Sequence, residues 1–162
     1  MDTISSERRS ENMRAIRSKN MNPEIQVRRL VHSMGYRFRL HKKDLPGKPD
    51  LVFSRRRKVV FVHGCFWHQH QNQACKDSRK PTSNTGYWGV KLDRNRERDA
   101  ANVAKLKRMG WKVLVVWECD LRNEPKVKKR VREFLNVKGR TARGEKAILP
   151  SCYIHQCQTL DD

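Results

Sequence analysis

Three histidines, two cysteines and two large aromatic side chains lie within the thirteen residues 63–75. They follow an apolar run, residues 59–62, that is typical of a buried strand. Imidazole and thiol groups transfer protons near neutral pH and bind transition metals. A strand that ends in such residues presents them at the edge of a rigid scaffold. We therefore expect the functional site at the carboxyl end of this strand.

One subset of these residues has the composition of a metal site. Cys65, His70 and Cys75 lie within eleven residues, and Cys119 follows a second apolar run. Three thiolates and one imidazole form a closed tetrahedral set of the kind used for structural Zn2+. Such a site contributes on the order of 10–16 kcal/mol, which is comparable to the net stability of an ordinary domain. In the alternative interpretation, Cys65 and Cys119 belong to the hydrophobic core and His70 is exposed.

A second group of residues begins before this stretch and resembles the Pro-Asp…(Asp/Glu)-x-Lys nucleases. Pro49 and Asp50 precede two short apolar runs, and in those nucleases an acid at a hairpin end holds Mg2+ for phosphate hydrolysis. A second acid and a lysine are expected about a dozen residues later, where this chain has Val62, His63 and Gly64. The pattern alone leaves Asp50 as either a metal ligand or a turn residue.

The elements that position these residues are predicted from local signals. Asn22 is predicted as the N-cap of an amphipathic helix that Gly35 ends. Residues 36–40 alternate with period two, which predicts a strand. Two further strands form a hairpin with Asp50 before the first and His63 at the end of the second. In an antiparallel pair these are the same end, so the two side chains can meet.

The second half of the chain continues the alternation of helices and strands. Residues 87–109 have a long helical pattern. Residues 111–117 are nearly all apolar, which predicts a central strand covered on both faces, with Trp111 and Trp117 in the core. Residues 124–135 predict a last amphipathic helix. The order helix, strand, hairpin, helix, strand, helix predicts an α/β sheet with helices on its faces.

Composition restricts the partners. The chain has 37 Lys plus Arg against 17 Asp plus Glu, a formal charge of +20. A domain with this charge is expected to bind a polyanion, with nucleic acid as the leading class. We expect no membrane partner, because no apolar run is long enough for a membrane span and no signal peptide is expected before the domain. Five cysteines without a secretory context predict a reducing cytoplasm, with the thiols free or bound to a metal.

Three regions are predicted along the chain. Residues 1–20 are a basic arm that orders on DNA, residues 21–136 form one domain, and residues 137–162 are a flexible basic tail. Cys152, His155 and Cys157 in the tail are a second candidate metal set. A three-ligand cluster in such a tail more often binds nothing.

Six motifs occur in order between about residue 7 and residue 135: Asn12-Met-Arg-Ala-Ile16, Leu45-Pro-Gly-Lys-Pro-Asp50, Val62-His-Gly-Cys-Phe-Trp-His68, Tyr87-Trp88, Asn95-x3-Asp99 and Gly110-Trp-x-Val-Leu-Val-Val-Trp-Glu-Cys119. Together they resemble the very-short-patch repair (Vsr) DNA mismatch endonucleases, a divergent branch of the PD-(D/E)xK nuclease superfamily. The resemblance implies a restriction-endonuclease-like core, with a central mixed β-sheet flanked by helices and a structural zinc site. It also implies nicking of one DNA strand next to a T·G mismatch, where 5-methylcytosine has been deaminated.

The resemblance further implies roles for individual residues. Asp50 binds catalytic Mg2+ with help from the backbone carbonyl of Val62. His68 is the general base for the attacking water and is held by Asp99, while His63 orients water at the metal.

Other positions match supporting parts of the family's site. Glu24 matches an acid of the first helix that supports catalysis. The structural Zn2+ ligands match Cys65, His70, Cys75 and Cys119, although the interval from His70 to Cys75 is slightly longer than the family's. The residues that wedge into the duplex match Phe66, Trp67 and Trp88, with Met13 entering from the other groove.

The expected partner is double-stranded DNA with a T·G mismatch, bound by a monomer in a bacterial-type cytoplasm close to the nucleoid. Mismatch-repair proteins are further candidate partners. Two alternatives remain open: a zinc-stabilised DNA-binding protein without catalysis, and a restriction-type endonuclease that cuts intact sites. A mere binding protein would not need the acid and histidine set, and an enzyme that cuts undistorted duplex has less reason to carry the wedge residues.

Overall fold

The structure is a computed structural model that describes residue 8, residues 21–82 and residues 84–136. Several predicted features lie outside these residues, namely the arm apart from residue 8, Met13 within it, and the tail with Cys152, His155 and Cys157. Within the described residues, every helix is too short or too polar to cross a membrane.

Helix α1 (Asn22–Ser33) is amphipathic, as predicted, and buries Val27, Leu30 and Val31. The prediction of Asn22 as its N-cap was wrong by one residue. The Ile25 N–H donates to the Met21 carbonyl (3.1 Å), which makes Asn22 the first helical residue.

A mixed four-stranded sheet forms the centre of the fold, as predicted. Its strands, in sheet order, are β1 (Arg39–Leu40), β2 (Leu51–Phe53), β3 (Lys58–His63) and β4 (Lys112–Trp117). The first three are antiparallel neighbours, whereas β3 and β4 are parallel. The strand predicted at residues 36–40 has only two residues, because β2 offers a ladder of only three residues.

The predicted central position of β4 was wrong. This strand lies at the edge of the sheet, and β3, buried along its whole length, is the inner strand beside it. Val113 and Val115 of β4 pack with one core cluster, and Leu114 and Val116 with the other. Cover on both faces therefore explains the apolar run, and it does not require a central position.

Helices cover both faces of the sheet. Helix α2 (Thr85–Arg108) packs on one face through Leu106, while α1 and α3 (Glu124–Asn136) pack on the other. Val127, Val131 and Leu135 of α3 are buried, as the sequence predicted.

The pleat of the sheet positions the site. Successive side chains of a strand point to opposite faces, so Val60 and Val62 of β3 face α1 and α3, whereas Val59 and Phe61 face α2. By the same period His63 points toward the α2 face, at the end of β3.

Candidate active site

The start of β2 and the ends of β3 and β4 lie together at one end of the sheet, toward the α2 face. Asp50 precedes β2, and β2 runs antiparallel to β3, so Asp50 lies beside the end of β3 that carries His63. The Val62 N–H donates to Asp50 Oδ2 over 2.7 Å, which fixes this carboxylate against the strand. The predicted meeting of Asp50 and His63 therefore occurs.

A cavity of about 680 Å³ opens at this end of the sheet. All the side chains to which the sequence assigned catalysis line it: Glu24, Asp50, His63, His68 and Asp99. Glu24 comes from the first turn of α1, and Asp99 from the middle of α2. The cavity thus collects residues from both helical layers.

The environment of Asp50 disfavours its charged form. Burial raises the pKa of its carboxyl group to about 6, against a smaller lowering by the Val62 N–H, and the nearby Glu24 carboxylate raises it further. Two carboxylates in a partly desolvated cavity form an oxygen-donor set that suits a hard cation such as Mg2+. The donor chemistry of the cavity therefore fits the metal that the family resemblance implies.

His68 and Asp99 form a hydrogen-bonded pair. His68 Nδ1 lies 2.5 Å from Asp99 Oδ2, so Nδ1 carries the proton and Nε2 is the acceptor of the ring. An imidazole held in this tautomer by a carboxylate is a competent general base.

The His63 ring stacks on the His68 ring, with centroids 3.9 Å apart and planes 8° apart. Burial lowers the pKa of His63 to about 4, helped by the charge of His68 and opposed by Asp99. His63 is therefore neutral near pH 7. The ligand atoms of His63, His68 and Asp99 lie within 4.8 Å of one another, so these residues form a second group that could hold a metal ion.

The structure brings the four predicted zinc ligands together. The ligand atoms of Cys65, His70, Cys75 and Cys119 lie within 4.8 Å of one another. His70 Nδ1 is 3.3 Å from the Cys119 sulfur and 3.8 Å from the Cys65 sulfur. In tetrahedral Zn2+ sites with ordinary bond lengths, sulfur and nitrogen ligands are about 3.6 Å apart.

The electrostatics of this cluster also fit a dication. Burial raises the pKa of the Cys65 and Cys119 thiols, and a bound dication offsets that cost because it binds the thiolate form. The alternative of an exposed His70 with two core cysteines does not describe this geometry, because the His70 ring faces the sulfurs.

The three described wedge candidates form one aromatic group (Phe66, Trp67 and Trp88). Their ring centroids are 5.0–6.0 Å apart, and each ring is half-buried. The group lies outside both core clusters. The Asn95 side chain donates to the Trp67 carbonyl (3.2 Å), which ties the loop after β3 to α2.

Sequence reasoning missed two residues that support Glu24. Arg28 Nη2 donates to Glu24 Oε2 over 2.8 Å and to His41 Nε2 over 2.9 Å. The spacing of Glu24 and Arg28, four residues apart on a helix, was a usable signal. His41 lines the cavity from a loop in which its backbone is left-handed (φ 45°), and no local pattern marks it.

The two tryptophans assigned to the core have different positions. Trp111 is buried in the cluster on the α2 face, as predicted. The assignment of Trp117 to the core was wrong, because its half-buried ring lies between the His63 and His70 rings at the end of β4. Period-two alternation along β4 places Trp117 on the α2 face with Val113 and Val115, but these two pack with a core cluster, so alternation alone does not predict this position.

The chain is similar to proteins described as DNA endonucleases. A family model described as "DNA mismatch endonuclease Vsr" matches residues 1–74. Among solved structures, the catalytic domain of the homing endonuclease I-Bth0305I aligns with a TM-score of 0.47 at 16% identity, over 71% of this chain and 94% of that one.

Relatives match over most of their own length. The type II nicking enzyme V.XorIIP of Xanthomonas oryzae pv. oryzae is 50% identical over 83% of this chain and 97% of its own. The nicking enzyme V.NmeAIP of Neisseria meningitidis is 40% identical over 83% and 94%. The DNA mismatch endonuclease Vsr of Escherichia coli is 41% identical over 74% of each chain. With relatives this similar over these shares of their length, the chain belongs to the Vsr family of DNA mismatch endonucleases.

Proposed function

We propose that this protein nicks one strand of duplex DNA next to a T·G mismatch by Mg2+-dependent hydrolysis and so initiates very-short-patch repair. Membership of the family makes the chain a DNA endonuclease, and two relatives are named nicking enzymes. The observation that carries the proposal is one cavity in which Asp50 and the His68–Asp99 pair meet.

Asp50 and the backbone carbonyl of Val62 would hold Mg2+, with Glu24 supporting the site. When bound, the cation polarises the phosphate and stabilises the charge that develops on its oxygens. The hydrogen bond from the Val62 N–H keeps one carboxylate oxygen of Asp50 in place before any ligand arrives.

His68 is the proposed general base. Its Nε2 takes a proton from the attacking water as the water oxygen bonds to phosphorus and the bond to the departing strand oxygen breaks. Asp99 then stabilises the imidazolium through the proton on Nδ1. His63, which is neutral because it is buried, packs against His68 and orients water.

The aromatic group supplies mismatch selectivity in this proposal. Separating a base step costs a few kcal/mol and costs least at a mismatch, so an aromatic wedge favours mispaired sites. Phe66 and Trp67 belong to the same loop as His68, and Trp88 lies on α2 near them. Insertion of the wedge therefore brings the catalytic imidazole to the adjacent phosphate.

Zn2+ is the proposed structural metal. Cys65, His70 and Cys75 lie on the loop after β3, and Cys119 follows β4. One metal held by all four fixes the loop that carries both the general base and the wedge. The cluster has no open position for catalysis if all four side chains bind.

A nicking assay tests the proposal. Duplexes with T·G or T·A at one position, in a mixture of flanking sequences, are incubated with the protein in Mg2+ or EDTA. We expect one strand of the T·G duplex to be cleaved, and only in the reaction that contains Mg2+. Equal cutting of the T·A duplex contradicts mismatch specificity and favours the restriction-type alternative. Binding without cleavage in Mg2+ contradicts the enzymatic proposal.

A further inference from the structure

Trp117 occupies a position that the catalytic proposal does not use. It is the last residue of β4 and the Cα partner of His63, the last residue of β3, in the parallel ladder. Both side chains point to the α2 face. The sheet register therefore places an indole beside an imidazole of the cavity.

The ring contacts form a continuous row of four side chains. His68 stacks on His63 at 3.9 Å, and the His63 ring meets the indole of Trp117 at 5.3 Å in an edge-to-face arrangement with planes 77° apart. The indole then stacks on His70, with centroids 4.2 Å apart and planes 15° apart. The row runs from the proposed general base to a ligand of the cysteine cluster.

The main chain at Trp117 is fixed at the end of β4. The backbone N–H of Trp117 donates to Asp120 Oδ2 over 3.1 Å, and the same oxygen accepts from Arg130 of α3 over 2.8 Å. Cys119, two residues after Trp117, contributes a sulfur to the cluster. The short turn after β4 thus fixes the backbone that carries the indole and, two residues later, one candidate metal ligand.

The contacts described for the His63 ring are aromatic, with Phe61, His68 and Trp117. Packing of this kind fixes the plane of a ring and leaves its nitrogen atoms for other partners. Loss of one of the three neighbours frees His63 to tilt, and His68 loses the face on which it stacks. A displacement of about 1 Å in a catalytic group can cost about 100-fold in rate.

We propose that Trp117 is a positioning residue, whose indole holds His63, and through it His68, in a fixed relation to the cysteine cluster. The role rests on the proposed function, because it assumes that His68 acts on the phosphodiester. Trp117 touches neither DNA nor metal in this proposal. It acts through the imidazoles.

The test uses the full-length, zinc-loaded protein with Trp117→Leu and Trp117→Phe. Leucine preserves an apolar side chain without a ring, whereas phenylalanine keeps a ring for both histidines. We expect Trp117→Leu to slow single-turnover nicking of a T·G duplex about 10- to 100-fold, with unchanged zinc content and duplex affinity. Trp117→Phe should recover most of the rate. Trp111→Leu is the matched control and should lower thermal stability without slowing the folded enzyme.

A second readout does not depend on activity. The nuclear Overhauser effects between the ring protons of His63 and His68, observed by NMR in the DNA-free protein, report the stacking of the two rings and should weaken in Trp117→Leu and recover in Trp117→Phe. If the wild-type protein fails to nick T·G duplexes, the proposed function fails, and these effects still report whether Trp117 holds the imidazoles. Unchanged effects, or a wild-type nicking rate in Trp117→Leu, overturns the proposal. Loss of zinc from Trp117→Leu also overturns it, because Trp117 would then serve the cluster itself.

Discussion

The carboxyl group of Asp50 links the chemistry of the cavity to pH. Burial raises its pKa to about 6, so below this pH the group is protonated in the metal-free protein. A cation that needs the carboxylate must then displace a proton. The metal and the proton therefore compete for one group in the range just below neutrality.

We expect the affinity for Mg2+ to fall about tenfold for each pH unit below about 6 and to be nearly constant above pH 7. Calorimetric titration of Mg2+ into the protein bound to an intact T·A duplex, at pH 5 to 8, measures this. Asp50→Asn should abolish the pH dependence together with most of the affinity. An affinity that stays flat down to pH 5 contradicts the assignment of Asp50 as a ligand.

Asp50 and His68 should be needed for cleavage more than for binding. Asp50→Ala removes the proposed metal ligand and His68→Ala the proposed base, so each should abolish nicking while duplex affinity stays within about tenfold. Single-turnover cleavage and fluorescence anisotropy measure the two properties. His32→Ala, an exposed histidine of α1, is the control and should behave as wild type. Strong residual cleavage by either test variant would remove that residue from the mechanism.

At the scale of elements, the loop after β3 contributes side chains to three separate groups. Cys65 and His70 face the cluster, His68 faces the cavity, and Phe66 and Trp67 join the aromatic group. Four backbone hydrogen bonds within residues 64–75 shape this loop, and none of these four joins it to β4. We attribute its position beside β4 to the cluster, in which Cys65, His70 and Cys75 meet Cys119.

Removal of a cluster sulfur should therefore release the whole loop. We expect elemental analysis to find one zinc per chain in the wild type, and Cys65→Ser or Cys119→Ser to lose both zinc and cooperative thermal unfolding. Cys152→Ser, from the second candidate set, is the matched control and should retain the metal. A stable, metal-free wild-type protein contradicts the structural zinc.

The aromatic group should contribute to mismatch preference more than to overall affinity. Trp67→Ala shortens the wedge, so the ratio of T·G to T·A nicking should fall while non-specific duplex binding changes little, because backbone contacts supply most of that binding. Competition between the two duplexes in one reaction measures the ratio. Tyr87→Ala, a neighbouring exposed ring, tests whether any aromatic loss has this effect. An unchanged ratio in Trp67→Ala refutes the wedge.

Local patterns predicted the elements well where they carried physical signals. The apolar period of α1, the turn glycines and the apolar run of β3 were enough to place these elements, because each records a local backbone or burial requirement. The predicted meeting of Asp50 and His63 also needed only hairpin geometry. The family resemblance is confirmed by the relatives, whereas the catalytic roles that it implies for single residues stay predictions.

Features that depend on contacts between residues far apart in the sequence could not be predicted from local patterns. The edge position of β4 follows from which strand lies beside β3, and an apolar run records cover but not neighbours. The contact of His41 with Arg28 depends on how a loop returns to α1. Alternation along β4 gives the face on which Trp117 lies, with Val113 and Val115, but its contact with His70 depends on how the loop after β3 folds.

At the scale of the whole molecule, the sheet separates two surfaces. The aromatic group lies on the α2 face, and the cavity opens at the strand ends with residues of both α1 and α2 in its lining, whereas α3 covers the other face. The formal charge of +20 belongs to the entire chain, and α3 alone contributes several exposed cations. Composition therefore predicts strong salt dependence without saying which face meets the DNA.

The salt dependence of duplex affinity, measured for single variants, can show which face of the protein binds DNA. Lys43 lines the cavity, and Lys129 is exposed on α3 across the sheet. If the duplex lies over the cavity, Lys43→Gln should lower the slope of log affinity against log salt by about 0.9. It should also lower the affinity for T·G and T·A duplexes by the same factor. Lys129→Gln removes the same charge and should leave the slope unchanged. An equal loss of slope in both variants would mean that DNA also contacts the α3 face, and that the cavity alone does not define the binding surface.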